Sequence, residues 1–229
     1  MTHVSSGHPP APTPDAQPRR APGGGFYRGS LLPRFLGMSE SIPSLDAARQ
    51  RTVEYATGHV LELGSGLGST LDLYPHEITS LTAVEPNPAL NTLLRRRMRH
   101  LPFPIDVREG RAEQLPVKDL AFDSVVSTFT LGAVGDLAAA LAEVRRVLKP
   151  GGRLLLAELG FDEDARQAVR QQRLAGVRSF VSGGYRLIRD LEGDLQAAGL
   201  RIQRLETSRL PEFPRLLGTL TEALVMRDP

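Results

Sequence analysis

The residues best suited to chemistry form a short glycine-rich run, Gly64-Ser65-Gly66-Leu67-Gly68, directly after the apolar stretch Val60-Leu61-Glu62-Leu63. Glycine has no Cβ, so a ligand can approach the backbone closely, and the N–H groups of such a turn can face it. A carboxylate follows in register: Glu85 closes a second apolar stretch, Leu81-Thr82-Ala83-Val84, and precedes Pro86-Asn87-Pro88. At the end of a strand beside a glycine turn, a carboxylate can accept both hydroxyls of a ribose. The first expectation is therefore a pocket for a nucleoside-bearing cofactor. The competing reading, a tight turn that only packs helix on strand, leaves Glu85 unexplained.

Few side chains offer further chemistry. The chain has no cysteine, which excludes disulfides, thiolate zinc sites and cysteine nucleophiles, and no metal site is expected. Glu158 ends a later apolar stretch, Leu154-Leu155-Leu156-Ala157, where it is placed to orient an acceptor; capping a helix or pairing with an arginine is the plainer role. Tyr27, Arg28, Tyr185 and Arg186 fall in the two segments expected to cover the pocket, where they either meet substrate or hold a lid in place. Tyr27, Tyr185 and Glu158 are the catalytic candidates. His59, His76 and His100 lie at a strand start or in connecting turns, away from the reactive edge.

Positioning these groups requires a scaffold, and the pattern supplies one. Apolar runs closed by turn signals predict strands at 59–63, 80–84, 104–108, 122–128, 152–158, 200–208 and 216–226. Helical spacing falls between them at Pro88–His100, Asp136–Leu148 and Leu187–Ala198, with Gly199 closing the last. The expected fold is α/β, a Rossmann-like doubly wound sheet of seven mostly parallel strands. Residues 1–25, rich in proline and ending in Gly23-Gly24-Gly25, read as a disordered leader. Residues 26–57 read as a small helical cap whose best helix is Leu45–Tyr55; residues 58–229 form the main domain, with a substrate-lid insertion at 161–186.

The glycine spacing narrows the cofactor. A nicotinamide loop reads Gly-x-Gly-x-x-Gly, but here the third glycine comes one residue early, at Gly68, and Ser69 occupies the expected place. That spacing favours S-adenosylmethionine over NAD. Glu62-Leu63-Gly64-Ser65-Gly66-Leu67-Gly68 resembles the first motif of the class I S-adenosylmethionine-dependent methyltransferases, and Glu85 resembles their second. Phe122-Asp123-Ser124-Val125-Val126-Ser127-Thr128 is similar to their fourth strand, and Glu143-Val144-Arg145-Arg146-Val147-Leu148-Lys149-Pro150-Gly151-Gly152 to their turn into the fifth. The resemblance runs over Thr57 to Gly160. It implies Gly64, Ser65, Gly66 and Gly68 around the methionine portion and Glu85 on the ribose, with Glu62, Pro86, Ala112 and Thr128 in the same pocket. Gly110-Arg111-Ala112-Glu113-Gln114-Leu115-Pro116 resembles the adenine motif, with Arg111 where an acidic residue is commonest. A guanidinium accepts no hydrogen bond, so Glu113 or a backbone carbonyl is left to take the adenine amino group.

Several segments, among them Thr128-Phe129-Thr130-Leu131-Gly132-Ala133-Val134 and Gly183-Gly184-Tyr185-Arg186-Leu187-Ile188-Arg189-Asp190, resemble the branch that holds alkyl-thiol and phospholipid methyltransferase-related enzymes. That branch places Glu-His at the end of strand five, whereas this chain reads Ala157-Glu158-Leu159-Gly160. Transfer of a methyl group to a small-molecule acceptor is the expected reaction. Phospholipid or quinone-type methylation, and S-adenosylmethionine binding without catalysis, are the alternatives. A formal charge of +2 falls short of a dedicated nucleic-acid binder, and no nucleic-acid partner is expected. No stretch is apolar enough to span a bilayer, and the expected location is cytoplasmic. Arg166, Arg170, Arg173 and Arg178 in the insertion leave open peripheral contact with a membrane surface; a solvated helix face is the plainer account. Oligomeric state is not encoded.

Overall fold

The computed structural model describes residues 42–98, 101–162, 164–174, 184–214 and 219–228. The expected leader, the first part of the cap with Tyr27 and Arg28, His100, and residues 175–183 of the insertion with Arg178 lie outside the described residues.

Seven strands form one sheet: β1 (His59–Leu63), β2 (Ser80–Glu85), β3 (Ile105–Glu109), β4 (Phe122–Thr128), β5 (Leu148–Gly160), β6 (Leu200–Ser208) and β7 (Thr219–Arg227). Their spatial order is β3-β2-β1-β4-β5-β7-β6. Strands β1 to β5 run parallel, and β7 lies antiparallel between β5 and β6. Leu63 is level with Val84 on one side and Ser127 on the other. The carboxyl ends of β1, β2, β4 and β5 therefore meet along one edge, where strand order reverses between β1 and β4. Ligands of doubly wound sheets bind at such a reversal.

Burial explains why the inner strands β1, β2, β4 and β5 read as continuous apolar runs instead of alternating ones. Successive residues point to opposite faces, and both faces are covered. Leu61, Val125 and Leu154 enter one core with Leu141, Val144 and Leu195, while Val60, Val126 and Leu155 enter the other with Leu71, Tyr74 and Leu94. The helices are α1 (Pro43–Val53), α2 (Pro88–Arg97), α3 (Leu137–Val147), α4 (Ala165–Arg173) and α5 (Leu191–Ala197). Side-chain caps set several of their starts: Asn87 accepts from Ala89 N at 2.9 Å, Asp136 from Ala139 N at 3.0 Å and Asp190 from Gly193 N at 2.9 Å. Helix α1, in the described part of the cap, buries Leu45, Ala48 and Val53, and Arg51 forms a two-pronged pair with Glu222 at 3.0 and 2.9 Å.

Two boundaries differ from the sequence expectation by four residues. The helix expected from Leu187 starts at Leu191, because Leu187 and Ile188 run extended beside the end of β5: Ile188 N donates to Leu159 O at 3.1 Å and Phe161 N to Ile188 O at 3.3 Å. Strand β5 begins four residues early, at Leu148, since Phe122 pairs with Leu148 and the Lys149-Pro150-Gly151-Gly152 turn is absorbed as a bulge with Gly151 at φ +73°. Among the described residues no helix is long and apolar enough to cross a membrane.

Candidate cofactor and acceptor site

The glycine loop is held open by backbone geometry. Gly64, Gly66 and Gly68 have φ of +60°, +54° and +77°, a region that side-chain-bearing residues avoid. Space is short as well: a Cβ on Gly64 would lie 2.5 Å from Thr130 Cγ2, and one on Gly68 would lie 2.6 Å from Leu94 Cδ1. Gly64 N donates to Val84 O at 2.8 Å, which ties the loop to β2. Behind the loop Arg97 Nη1 donates to Leu67 O at 3.0 Å, so one arginine of the basic run 95–99 has a structural task.

Glu85 ends β2 facing this loop and is 6% exposed. Its Oε2 accepts from Gly66 N at 3.1 Å and its Oε1 from Asn87 N at 2.9 Å. Burial pushes its pKa upward, and the two N–H groups oppose that by favouring the charged form. Its exposed neighbour Pro86 makes the turn into α2.

Beneath the loop Glu62 is buried in β1, with Thr70 Oγ1 donating to its Oε1 at 2.5 Å. Its Oε2, the Ser65 hydroxyl and the Tyr74 hydroxyl are buried without a hydrogen-bond partner. The two hydroxyls and Arg49 stand near enough to favour the ionised carboxylate, but burial outweighs them and pushes the pKa to about 7.

The acceptor edge is organised by Glu158, and here the expectation for that residue changes. Placed by sequence to face an acceptor, Glu158 is 0% exposed and turned into the loop after β4. Its Oε1 accepts from Ser127 Oγ at 2.8 Å, Thr130 N at 2.9 Å and Leu131 N at 2.9 Å. Its Oε2 accepts from Tyr185 Oη at 2.7 Å and Gly132 N at 3.4 Å. A carboxylate that receives five hydrogen bonds is a fixed organiser of its neighbours. Tyr185, the other described catalytic candidate, uses its hydroxyl to bridge Glu158 and Leu159 N (2.9 Å), while its ring lies so close over Gly132 that a Cβ there would be 2.3 Å from Cζ.

The chain turns sharply where β4 ends. Phe129 has φ +55°, a conformation that costs a non-glycine residue about 1–3 kcal/mol, and its ring leaves the site to sit 5.5 Å from the Arg49 guanidinium. Thr130 consequently faces the glycine loop. Its Oγ1 donates to Leu63 O at 3.0 Å and Thr128 O at 3.2 Å. Of the described histidines, His59 opens β1 with Nδ1 2.8 Å from Ser80 Oγ, and His76 lines a separate groove of about 320 Å³ with Leu71, Tyr74 and Phe103.

Residues 61–156 match the methyltransferase domain family. The thiol S-methyltransferase TMT1B of Rattus norvegicus is 32% identical over 168 residues, which is 69% of this chain and 68% of the relative. The mouse protein of that name is 30% identical over 204 residues, 84% of this chain and 83% of the relative. The chain is a class I S-adenosylmethionine-dependent methyltransferase. A solved SAM-dependent methyltransferase from Thermotoga maritima shares the fold, with a TM-score of 0.62 at 21% identity, covering 86% of this chain and 99% of that one.

The residues present in the methyltransferase fit its cofactor in kind. A buried carboxylate at the end of β2 suits hydroxyls, and the buried Glu62 Oε2 and Ser65 Oγ retain hydrogen-bonding capacity beneath the loop. In the Arg111-Ala112-Glu113 turn, Arg111 Nη2 reaches Glu113 Oε1 at 3.1 Å and Gly135 N donates to the same oxygen at 2.7 Å. Burial would raise the Glu113 pKa, but its own and the Gly135 backbone N–H groups together with Arg111 hold it below the usual range. Glu113 is thus an ionised acceptor, and Arg111, 57% exposed at its side chain, serves to steady it. Ala112 packs at the margin of the core and Thr128 is half-buried at the end of β4.

Sequence reasoning gave Thr130, Thr70 and Tyr74 no role in the site. A threonine two residues past the end of β4 was visible, but its inward direction depends on the positive φ of Phe129, which no residue type announces. Among the described residues no cluster of three His, Asp or Glu could hold a metal ion.

Proposed function

We propose that the methyltransferase acts on a small, soft nucleophile, a thiol foremost. The observation that carries this reading is the acceptor edge itself: its buried carboxylate, Glu158, is sealed by five donors, and neither described histidine lies there. A thiol, with a pKa of about 8.5, ionises near neutral pH without help, whereas a phenol at about 10 is ionised about thirtyfold less and calls for a base. The relatives named thiol S-methyltransferase support the same choice.

S-adenosylmethionine, when bound, supplies an activated methyl group on a positively charged sulfur. The rest is alignment, which this chain provides with Gly64, Ser65, Gly66 and Gly68 at the methionine portion, Glu62 below them, Glu85 and Pro86 at the ribose, and Ala112, Glu113 and Thr128 toward the adenine. Glu158 and Tyr185 act as positioning residues, since they fix the loop after β4 without facing the acceptor.

A panel of thiol, amine and phenol acceptors with methyl-labelled S-adenosylmethionine tests the reading. Thiols should give the highest turnover, rising about tenfold per pH unit below the thiol pKa. Phenol turnover above thiol turnover at neutral pH would sink it. A lipid-borne acceptor is the second reading, favoured by α4, where Val169 is 50% exposed and Leu174, its C-cap, 43% beside Arg166, Arg170 and Arg173. Co-sedimentation with anionic vesicles supports that version, and its absence removes it.

A further inference from the structure

The donor and acceptor sides of the site meet through one residue. Thr130 N donates to Glu158 Oε1 at 2.9 Å, Thr130 Oγ1 donates to Leu63 O at 3.0 Å, and the Thr130 side chain abuts Gly64, where an added Cβ would lie 2.5 Å from Cγ2 and 2.6 Å from Oγ1. Leu63 and Gly64 are the hinge at which β1 becomes the glycine loop, and Gly64 N is already fixed to Val84 O. On the other side Glu158 Oε2 receives Tyr185 Oη at 2.7 Å, the Tyr185 ring lies against Gly132, and Arg186 N donates to Gly132 O at 2.8 Å. Every step of this path is a direct hydrogen bond or a contact with no slack, and the carboxylate at its centre is fully buried.

We propose that Thr130, anchored by Glu158, is the positioning residue that transmits occupancy of the glycine loop to the Tyr185 segment, so that binding of the methyl donor orders the acceptor side. The inference rests on the reading that the donor binds at the glycine loop. The physical reason is restraint. A donor that fixes Leu63, Gly64 and Gly66 removes motion from the carbonyl on which Thr130 hangs. Thr130 in turn shares its carboxylate anchor with Leu131 and Tyr185, so loss of motion at one end is loss of motion at the other. The two ends lie far apart in sequence, and Thr130 joins them by bonding the end of β1 through its hydroxyl and Glu158 through its backbone N–H.

Hydrogen–deuterium exchange of the whole chain with and without S-adenosylhomocysteine tests the relay. In the wild type, the ligand should slow exchange at residues 64–68 and at 185–188 together. Thr130→Val keeps the side-chain shape and the backbone N–H but removes the bond to Leu63 O; protection at 64–68 should remain while the slowing at 185–188 falls about fivefold, the equivalent of one ordinary hydrogen bond. Thr130→Ser should restore it. Tyr185→Phe should leave the response of residues 130–132 and abolish that of 185–188. Protection at 64–68 with no response at 185–188 in the wild type overturns the proposal, as does a full response in Thr130→Val. Absence of protection at 64–68 overturns the donor-site reading and the relay with it.

Discussion

The proposed donor side is built chiefly of backbone: three left-handed glycines and their N–H groups, beside the Glu85 carboxylate that bonds two of the local amides. The proposed acceptor side is assembled around one side chain by groups that arrive from distant places: Glu158 from β5, Ser127 and Thr130 from β4 and its loop, and Tyr185 from the segment before α5. A backbone-made site tolerates almost no change of residue type, because a left-handed φ and a missing Cβ leave glycine alone suitable. A side-chain-made site can be rebuilt with different residues, which is how one sheet serves many acceptors. The donor follows from the fold family, and the acceptor must be sought in contacts specific to this chain.

That contrast breaks most visibly at Gly64. Gly64→Val forces a β-branched residue to φ +60° and drives its Cβ into Thr130, so S-adenosylhomocysteine binding measured by calorimetry should be lost altogether. Glu85→Leu removes the acceptor proposed for two ribose hydroxyls. At about 1.5 kcal/mol or more for each bond to a charged group, affinity should fall about a hundredfold. On the acceptor side the order of effects reverses. Glu158→Leu leaves Ser127, Thr130, Leu131 and Tyr185 without their acceptor, at a cost of about 3 kcal/mol or more, and calorimetric unfolding should come about 10 °C earlier. Glu158→Gln retains one oxygen for three of those donors and should lose less than half as much.

Glu62 sharpens the comparison through pH. Its carboxyl titrates at about 7 in the fold because burial disfavours the charge, against an ordinary 4.5. Between those values the folded chain binds the proton and the unfolded chain does not, so this group's contribution is complete below about pH 4.5 and is lost as pH rises through about 7. Thermal unfolding followed from pH 5 to pH 7.5 should show wild type losing stability relative to Glu62→Gln across that window. A constant gap between the two would remove the assignment. The smallest effect is expected at the opposite edge of the sheet, where Lys149 Nζ pairs with Asp123 at 2.7 and 2.8 Å. Lys149→Met should shift the unfolding midpoint by no more than about 2–3 °C and leave donor affinity unchanged.

The same contrast explains what the sequence could reveal. The left-handed turn at Gly64, Gly66 and Gly68 and the place of Glu85 at the end of β2 were legible because they depend on local backbone form and on position along a strand. The inner strands β1, β2, β4 and β5 were legible because a sheet covered on both faces needs continuous apolar runs such as Leu154-Leu155-Leu156. The start of α5 was misjudged by four residues, since Leu187 and Ile188 fit a helical spacing equally well and only the bonds of Ile188 to Leu159 and Phe161 decide against it. Glu158 was expected to orient an acceptor, whereas its carboxylate turns into the loop after β4. Its direction follows from five donors, the nearest of them 26 residues away, and no local pattern records such contacts. Thr130 was given no role for the same reason.

The most direct measurement is titration calorimetry of the 229-residue chain with S-adenosylhomocysteine, repeated with Glu85→Leu and in the presence of NADH. Saturable one-to-one binding that is indifferent to NADH and weakened about a hundredfold by Glu85→Leu is the expected result. No binding to the wild type, displacement by NADH, or unchanged affinity in Glu85→Leu would contradict a methyl-donor site built on the glycine loop and Glu85.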